Sequence, residues 1–495
     1  MVIDRILDLF GLKRSSQYAA AKTTIGSGGW SVADSKVNTV LANSLPQMRA
    51  RARQLVRDMP AMAAAVTRIE EFTVGEGVTM QSRIKGEDGK LIKPLNQKIE
   101  DAWNFWCDEA DESGLLHFSE MTQLCARNEV EVGEYVAIKR LSKNKGKYIP
   151  FSLLMMEPDD IAMYGGKELP NNEINQGVEF VPSTGRPVAY HFQNYERRKD
   201  PLRIPADKVV IGYKSERPGQ LRGVTPLAPV ILLAHSLRDY LSAELEGAQK
   251  AAKWLAFITS PDPAATMSAF GGAASSTYTD SAGNAQYTQE VGNAVIDYLR
   301  TGETVTVANH NRPGDNFEAF VRFILRAFAA AAGVTYELVS GDYYDAKYTA
   351  ARVSRNDMLA GIRTRRRRLI RNWCSPVYNE FMDWAVVTGK LDLPNYFSNK
   401  PHYQKAVWLG PGMESLDPLR EGKAEAEAIA NKTRSPQEIL LSRGRDPEQV
   451  LDEIEEWETM LKERGLEPEE ISTAMQTNPA AQGAAEEGKA MRRVK

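Results

Sequence analysis

Arg217-Pro-Gly-Gln-Leu-Arg-Gly-Val-Thr-Pro-Leu-Ala-Pro229 runs directly into Val230-Ile-Leu-Leu-Ala-His-Ser-Leu-Arg-Asp-Tyr-Leu-Ser-Ala-Glu-Leu-Glu-Gly-Ala-Gln-Lys-Ala-Ala-Lys-Trp-Leu255. In the second stretch Val230, Ala234, Leu237, Leu241, Leu245, Ala248, Ala252 and Leu255 recur at spacings of mostly three and four, which is one stripe along one helix. Thr225 reads as its N-cap and Pro226 as its first helical residue. About 30 residues at 1.5 Å rise give a rod of roughly 45 Å. Much of the stripe is alanine, so it suits close packing against neighbouring helices.

Upstream, residues 95–131 carry two helical patterns, around Ile99–Trp106 and Ser119–Val130. Another runs from Pro46 to Phe72 and ends at the turn signal Gly75-Glu-Gly77. Residues 14–43, rich in Ser, Gly, Thr and Ala, read as a poorly ordered arm. Met1-Val-Ile-Asp-Arg-Ile-Leu-Asp-Leu-Phe-Gly is a short amphipathic stretch, expected to pack as a surface helix. Strand patterns follow at Tyr135–Lys139, Phe151–Met156 and Val209–Tyr213. A hairpin is expected from Gly177–Val181 through Thr184-Gly-Arg-Pro to Val188–Phe192. The first half is therefore α+β.

Downstream, Pro261, Pro263 and the Gly271-Gly-Ala-Ala-Ser-Ser run break the helix, and Glu303-Thr-Val-Thr-Val alternates like a short strand. Asp315–Ala332 is a second helix with Phe317, Phe320, Val321, Ile324 and Phe328 on its apolar face and Gly333 as its stop. A polar, aromatic loop, Ser340–Tyr348, precedes a long helical stretch over residues 349–387. Pro376 lies inside that stretch and predicts a kink near Asn372–Pro376. Residues 413–472 are acidic helices, one opened by Ser435-Pro-Gln-Glu and another by Asp446-Pro-Glu. The tail after Gln476 reads as disordered.

With 495 residues, 42% of them hydrophobic, the chain has material for more than one domain. A formal net charge of −3 argues against a sequence-specific duplex reader. Cys107, Cys125 and Cys374 show no CxxC spacing and read as reduced thiols. Five histidines fall in no HExxH pattern, so no structural metal is expected. No apolar run approaches the ~20 residues of a membrane span. His191 reads as packed and His235 as a surface or interface residue. Glu157-Pro-Asp-Asp160 with Asp207 resembles part of a metal-dependent nuclease core, but Lys208 directly follows Asp207 and the expected acidic-x-Lys is absent. No GxxxxGK[ST] occurs, hence no recognisable P-loop.

The run Arg363-Thr-Arg-Arg-Arg-Arg-Leu-Ile-Arg371 is the densest charge feature. On a helix Arg365, Arg366, Arg367 and Arg368 point about 100° apart and cannot all face one duplex. Ion pairing between subunits or with the acidic segment 413–470 is the preferred reading of Arg363, Arg365–Arg368 and Arg371. Direct DNA contact and a solvated face are the alternatives.

The order of parts resembles the bacteriophage portal protein, in its lambda-like branch. The resemblance spans roughly residues 45–465. It rests on Arg51-Ala-Arg-Gln-Leu-Val-Arg-Asp-Met-Pro60, Gly185-Arg-Pro-Val-Ala-Tyr-His191, Ile204-Pro-Ala-Asp207, the 217–229 stretch, and Leu325-Arg-Ala-Phe-Ala-Ala-Ala-Ala-Gly-Val-Thr-Tyr-Glu-Leu-Val-Ser-Gly-Asp342 followed by Tyr348-Thr-Ala-Ala-Arg352. Portal subunits are divided into wing, stem, clip, tunnel loop and crown. The resemblance implies an N-terminal arm (1–43), an α+β wing (44–224), stem helix 1 (225–258), clip (259–314), stem helix 2 (315–334), tunnel loop (335–348), kinked wing helix and return (349–407), helical crown (408–475) and tail (476–495).

It further implies a non-enzymatic ring, dodecameric and without cofactor or metal, at one vertex of the virion capsid and assembled in the host cytoplasm. Viral double-stranded DNA would pass through it without sequence reading. Terminase, major capsid and scaffold or protease proteins, and head–tail completion proteins would be its partners. Asp342, Tyr343, Tyr344, Asp345 and Lys347 would face passing DNA. Asp315, Glu318, Arg322 and Arg326 would line the channel wall, and Leu237, Leu241, Leu245 and Ala248 would meet the neighbouring subunit. Two readings from other classes stay open: a metal-dependent nucleic-acid-processing enzyme gripping through its arginine helix, and a monomeric scaffold or adaptor.

Overall fold

Two helices at the N-terminal side, α1 (Val37–Asp58) and α2 (Pro60–Thr73), meet at extended Met59. The computed structural model describes residues 35–142, 146–164, 166–193, 200–253, 256–259, 276–279, 285–288, 304–307, 316–344, 347–412 and 417–464. The expected N-terminal amphipathic stretch, most of the arm, the glycine-rich run and the tail lie outside these residues. Helix α1 starts at Val37, inside the segment expected to be an unstructured arm. The reason is a buried stripe, Leu41, Leu45, Arg49, Ala52 and Leu55, that begins before Pro46, while Pro46 itself faces solvent. Pro60 opens α2, where its missing N–H has no helical partner to lose.

The mixed middle follows as β1 (Thr79–Ser82), α3 (Lys93–Asp108), α4 (Phe118–Glu131), β2 (Glu134–Leu141), β3 (Phe151–Met156), β4 (Glu173–Asn175), β5 (Val178–Val181), β6 (Arg186–Phe192), β7 (Leu202–Pro205) and β8 (Val209–Tyr213). Strands β3-β2-β8 form one antiparallel sheet and β4-β5-β6-β7 another. The expected hairpin is β5 with β6, turned at Gly185 with φ 69°. An aromatic core gathers between α3, α4 and the first sheet. Trp106 stacks on Phe151 and donates its indole N–H to the Phe151 carbonyl at 2.8 Å.

Helix α5 is shorter than the sequence pattern implies. It spans Ile231–Lys253 and is followed by strand β9 (Ala256–Thr259), a segment expected to be the helix end. Thr225 does not cap it. Its hydroxyl donates to the Val130 carbonyl at 2.6 Å and accepts from the Leu227 amide at 3.1 Å, so it fixes a 3-10 turn at Ala228–Val230 that precedes the helix. Beyond β9 come β10 (Ser276–Thr279), β11 (Ala285–Thr288) and β12 (Thr304–Val307). The hairpin β10-β11 and the ladder β9-β12 are both antiparallel.

Helix α6 (Phe317–Ala332) ends at Gly333 in the left-handed conformation, φ 76°. The segment expected as a loop first forms a short helix, α7 (Tyr336–Ser340), because Thr335 caps it through the Leu338 amide. Then α8 (Tyr348–Leu369) passes through a π-helical turn (Ile370–Cys374) into α9 (Ser375–Val387). Pro376, which lacks an N–H, sits in the first turn after the π segment, and the wider turn absorbs the bond the proline removes.

A short helix α10 (Lys400–Tyr403) leads to β13 (Ala406–Leu409), which pairs with β1, so Trp408 packs with the N-terminal half of the chain. Helices α11 (Pro418–Ala430), α12 (Pro436–Ser442) and α13 (Pro447–Glu463) complete the chain, with Ser435 and Asp446 capping the last two.

These parts meet at one buried ionic centre. Arg49, Glu134 and Arg222 are all but inaccessible to solvent. Glu134 Oε1 accepts from Arg49 Nη2 at 2.6 Å and from Arg222 Nε at 2.8 Å, and Glu134 Oε2 accepts from the Gly223 amide at 2.6 Å. Arg222 also donates to the carbonyls of Pro158, at 2.7 Å, and Gln176, at 2.8 Å. Burial would raise the Glu134 carboxyl, but Arg222 and then Arg49 hold it below its ordinary value. Gly223 approaches Gly133 so closely that an added Cβ would overlap the Gly133 carbonyl. Glu134→Ala would leave two guanidinium groups buried without their anion. We expect it to lower stability by about 3–5 kcal/mol in urea unfolding; a loss below about 1 kcal/mol would contradict this account.

Candidate functional site

The helix pair α5–α6 carries the candidate contact surface. Its apolar stripe divides along its length. Ala234 and Leu237 are buried inside the subunit against α2 and α6, in a core with Met62, Ile324 and Phe328. Leu237 is therefore an internal core residue, which corrects its expected place at a subunit contact. Leu241 and Ala248 are half-buried, and Leu245 is 62% exposed. Across the pair, Tyr240 meets Phe320 edge-on at 5.3 Å and lies against Phe317 at 5.9 Å. An open apolar groove lies between the helices, lined by Leu233, Leu237, Tyr240, Phe317, Phe320 and Ile324. Phe323, on the flank of α6, is 68% exposed.

The polar side of α6 connects to the following loop. Glu318 pairs with Arg322 at 2.6 Å, and Arg322 reaches Asp342 at 3.7 Å. Arg326 lies over the Tyr336 ring, 5.5 Å from its centroid. Asp342 accepts from the Tyr336 hydroxyl at 3.2 Å and from the Tyr344 amide at 3.1 Å, which fixes the loop's first turn. Tyr343, Tyr344 and Lys347 are exposed, Tyr344 at 94%. Asp315 and Asp345 lie outside the described residues. The structure thus brings Glu318, Arg322, Arg326 and Asp342 together and leaves both tyrosines projecting.

The arginine run resolves differently from the reading made of it as one block. Arg365 at 3.2 Å and Arg368 both pair with buried Glu129 of α4. Arg366 donates to the carbonyls of Phe72 and Thr73, each at 2.8 Å, and its guanidinium lies flat on Gly410. Their partners belong to α2 and α4 of the same chain, not to the acidic C-terminal helices. Arg363, Arg367 and Arg371 remain exposed on the opposite face. The sequence offered no signal for this split, because Glu129 sits 236 residues from Arg365.

A second buried cluster went unread. Glu179 and His191, paired at 3.2 Å, are fully buried, and Arg203 donates to Glu179 at 2.6 Å. Asn172 and the Leu169 amide add further hydrogen bonds. The acidic residues that resembled a nuclease core do not converge. Asp159 pairs with Arg53 and Arg49, and Asp160 caps its own turn through the Glu157 amide. Asp207 is in a separate 3-10 turn. Among the described residues, no group of three His, Cys, Asp or Glu side chains could hold a metal ion. His235 pairs with Asp239 at 2.8 Å on exposed α5. All three cysteines are buried thiols, and burial pushes those of Cys107 and Cys125 well up. No helix among the described residues is long and apolar enough to cross a membrane.

Residues 26–366 match the family described as phage portal protein, lambda family, and the chain belongs to that family. The probable portal protein of Halomonas phage phiHAP-1 is 25% identical over 420 residues, covering 81% of this chain and 77% of that protein. Portal protein B of Escherichia phage lambda is 21% identical over 459 residues, covering 85% of each chain. Among solved structures, the chain is similar to one in the neck of an empty gene transfer agent particle, with TM-score 0.46 and 14% identity, over 80% of this chain and 94% of that one. A chain of the native gene transfer agent virion is similar at TM-score 0.44, with the same identity and coverage.

Glu179 gives this region a defined acid response. Burial alone would raise its carboxyl, but hydrogen bonds from Arg203, Asn172, the Leu169 amide and His191 outweigh it and hold the pKa at about 2. A folded-state value below the unfolded one, about 4.3, contributes stability that is complete above the unfolded value and is lost as pH falls toward 2. Glu179→Gln should therefore cost more at pH 6 than at pH 3 in urea unfolding. An equal cost at both values would contradict the assignment.

Proposed function

We propose that the protein is the portal subunit itself: a ring of twelve copies at one capsid vertex, through which double-stranded viral DNA is packaged and later ejected. The observation that carries this reading, beside family membership, is the gradient along α5. Its apolar stripe is buried at Leu237, half-buried at Leu241 and open at Leu245. A stripe continuing past the subunit's own core calls for another copy to cover it. A head-to-tail contact of this kind closes into a ring when the rotation permits.

In this reading α5 and α6 are the stem, and the segment between them, about 259–314, is the clip that docks terminase and later the head–tail completion proteins. Capsid and scaffold or protease proteins meet the ring during assembly in the host cytoplasm, and the mature ring stays at the virion's portal vertex. The ring needs no cofactor and no catalytic group, because a separate ATPase supplies the motor's work. Glu318, Arg322 and Arg326 give the channel wall mixed charge, with Asp315 continuing it. Tyr343, Tyr344 and Lys347, with Asp342 and Asp345, form the loop that touches passing DNA. Weak contacts repeated around a ring let a duplex slide, whereas tight phosphate binding would stall it.

Two measurements test these assignments. Leu245→Lys should yield folded subunits that fail to form rings in light scattering, whereas Leu237→Lys should destabilise the subunit itself. Intact rings from Leu245→Lys would refute the stem register. Replacing both Tyr343 and Tyr344 with alanine should leave rings intact but alter DNA packaging or retention; normal genome filling would refute the loop's role.

A further inference from the structure

Helix α13 has an apolar stripe that its own subunit leaves uncovered. Leu451, Ile454 and Trp457 are 62%, 48% and 55% exposed. One flank of the helix is pinned to the subunit: Arg83 pairs with Asp446 at 3.1 Å and Lys93 with Asp452 at 3.4 Å. Glu455, Glu456 and Glu458 have no cation within ion-pair reach among the described residues. An acidic face with large apolar side chains requires a partner that is basic and offers small apolar seats.

Such a face exists on the same chain, elsewhere. Arg352, Arg363 and Arg367 of α8, with Arg371 in the π turn, are all exposed. From 352 to 371 they span about 28 Å of helix. Among the described residues no carboxylate pairs with any of the four. Val353 and Ala360, also exposed, lie between the arginines. The inner arginines, Arg365, Arg366 and Arg368, are already committed to Glu129 and to carbonyls.

We infer that α13 of one subunit docks its Leu451–Trp457 face on the Arg352–Arg371 face of the next subunit, with Glu455 and Glu458, which flank Leu451 on the helix, pairing to the row Arg363, Arg367 and Arg371. This rests on the ring reading and adds to it a second intersubunit contact, far along the chain from the stem. The contact is heterologous: two different patches of one chain meet, as a ring requires. Its pairs are solvent-facing, so they set the register and salt dependence of assembly more than its total strength.

A charge-swap experiment tests the inference. One variant carries Arg363→Glu, Arg367→Glu and Arg371→Glu; another carries Glu455→Lys and Glu458→Lys; a third carries all five. Assembly is followed by mass in solution against subunit concentration and salt, with thermal melting as the folding control. Each of the two reversal sets should raise the concentration for half-assembly roughly tenfold or more, and the combined variant should recover most of that loss. Should a reversal set unfold, glutamine at the same positions replaces it, and a smaller shift in the same direction is expected. Unchanged assembly in the two reversal sets, or no recovery in the combination, overturns the contact. Loss of duplex DNA binding by the arginine triple with rings unaffected overturns it too, and assigns that face to DNA. Wild-type protein that stays monomeric at every concentration removes the ring reading itself, and this contact with it.

Discussion

Everything around the start of α5 depends on one carboxylate shared by two buried guanidinium groups. Glu134 stands at the first residue of the central strand, Arg49 comes from α1, and Arg222 from the turn that delivers the chain to α5. Two positive groups beside one buried anion leave an excess charge, which Asp159 offsets from 3.5 Å at the edge. Taking such groups out of water is costly, and a buried pair is often no more stabilising than a hydrophobic replacement. What the arrangement supplies is geometry. Arg222 also holds the carbonyls of Pro158 and Gln176, so the two sheets, α1 and the entry to α5 are fixed to one point. The arrangement thereby gives α5 a rigid root.

The second constraint is the division of the interior. Besides a smaller cluster around Val136, Val178 and Tyr190 of the strands, there are two large cores: one is aromatic, built on Trp103, Trp106, Phe118, Trp373 and Phe381, and the other is aliphatic and helical, built on α1, α2, α5 and α6. The long helix runs through both. Met358, Leu359 and Ile362 of α8 belong to the helical core, whereas Leu369, Trp373, Cys374 and Val377 belong to the aromatic one. The π turn falls at the change-over. A π turn takes one more residue than an α turn, so it rotates the buried face that follows and lets one rod serve two cores of different orientation.

Much of this was legible in the sequence. Alternation at Tyr135–Lys139, the apolar runs at Phe151–Met156 and Val209–Tyr213, and the hairpin pattern around Gly185 located β2, β3, β8, β5 and β6, and helical patterns located α3, α4, α5 and α6. Gly333, Ser435 and Asp446 marked helix ends and starts where the structure has them, because caps act locally and leave a local signature. Failures came where distant residues decided the outcome. Leu41 and Leu45 extend α1 into a segment whose composition alone looks unstructured. Thr225 has every local property of an N-cap, yet its hydroxyl goes to Val130, 95 residues away. Helix geometry already separated the arginines by direction, but a linear sequence does not show which of the six face Glu129. For the candidate surface, the sequence placed Leu241, Leu245 and Ala248 on one stripe, but the depth at which the subunit's own core ends, after Leu237, is a property of packing.

Two kinds of exposed surface remain after the fold is accounted for: the open half of the α5 stripe with its aromatic neighbours, and the complementary acidic and basic faces of α13 and α8. Both are surfaces that a single copy leaves open and further copies would cover. Electron microscopy of the purified wild-type protein is the most direct measurement of that claim. The account predicts closed rings around a central opening wide enough for a DNA duplex, with α5 and α6 lining it. A field of single subunits, with the α5–α6 pair facing solvent on every side, would contradict it.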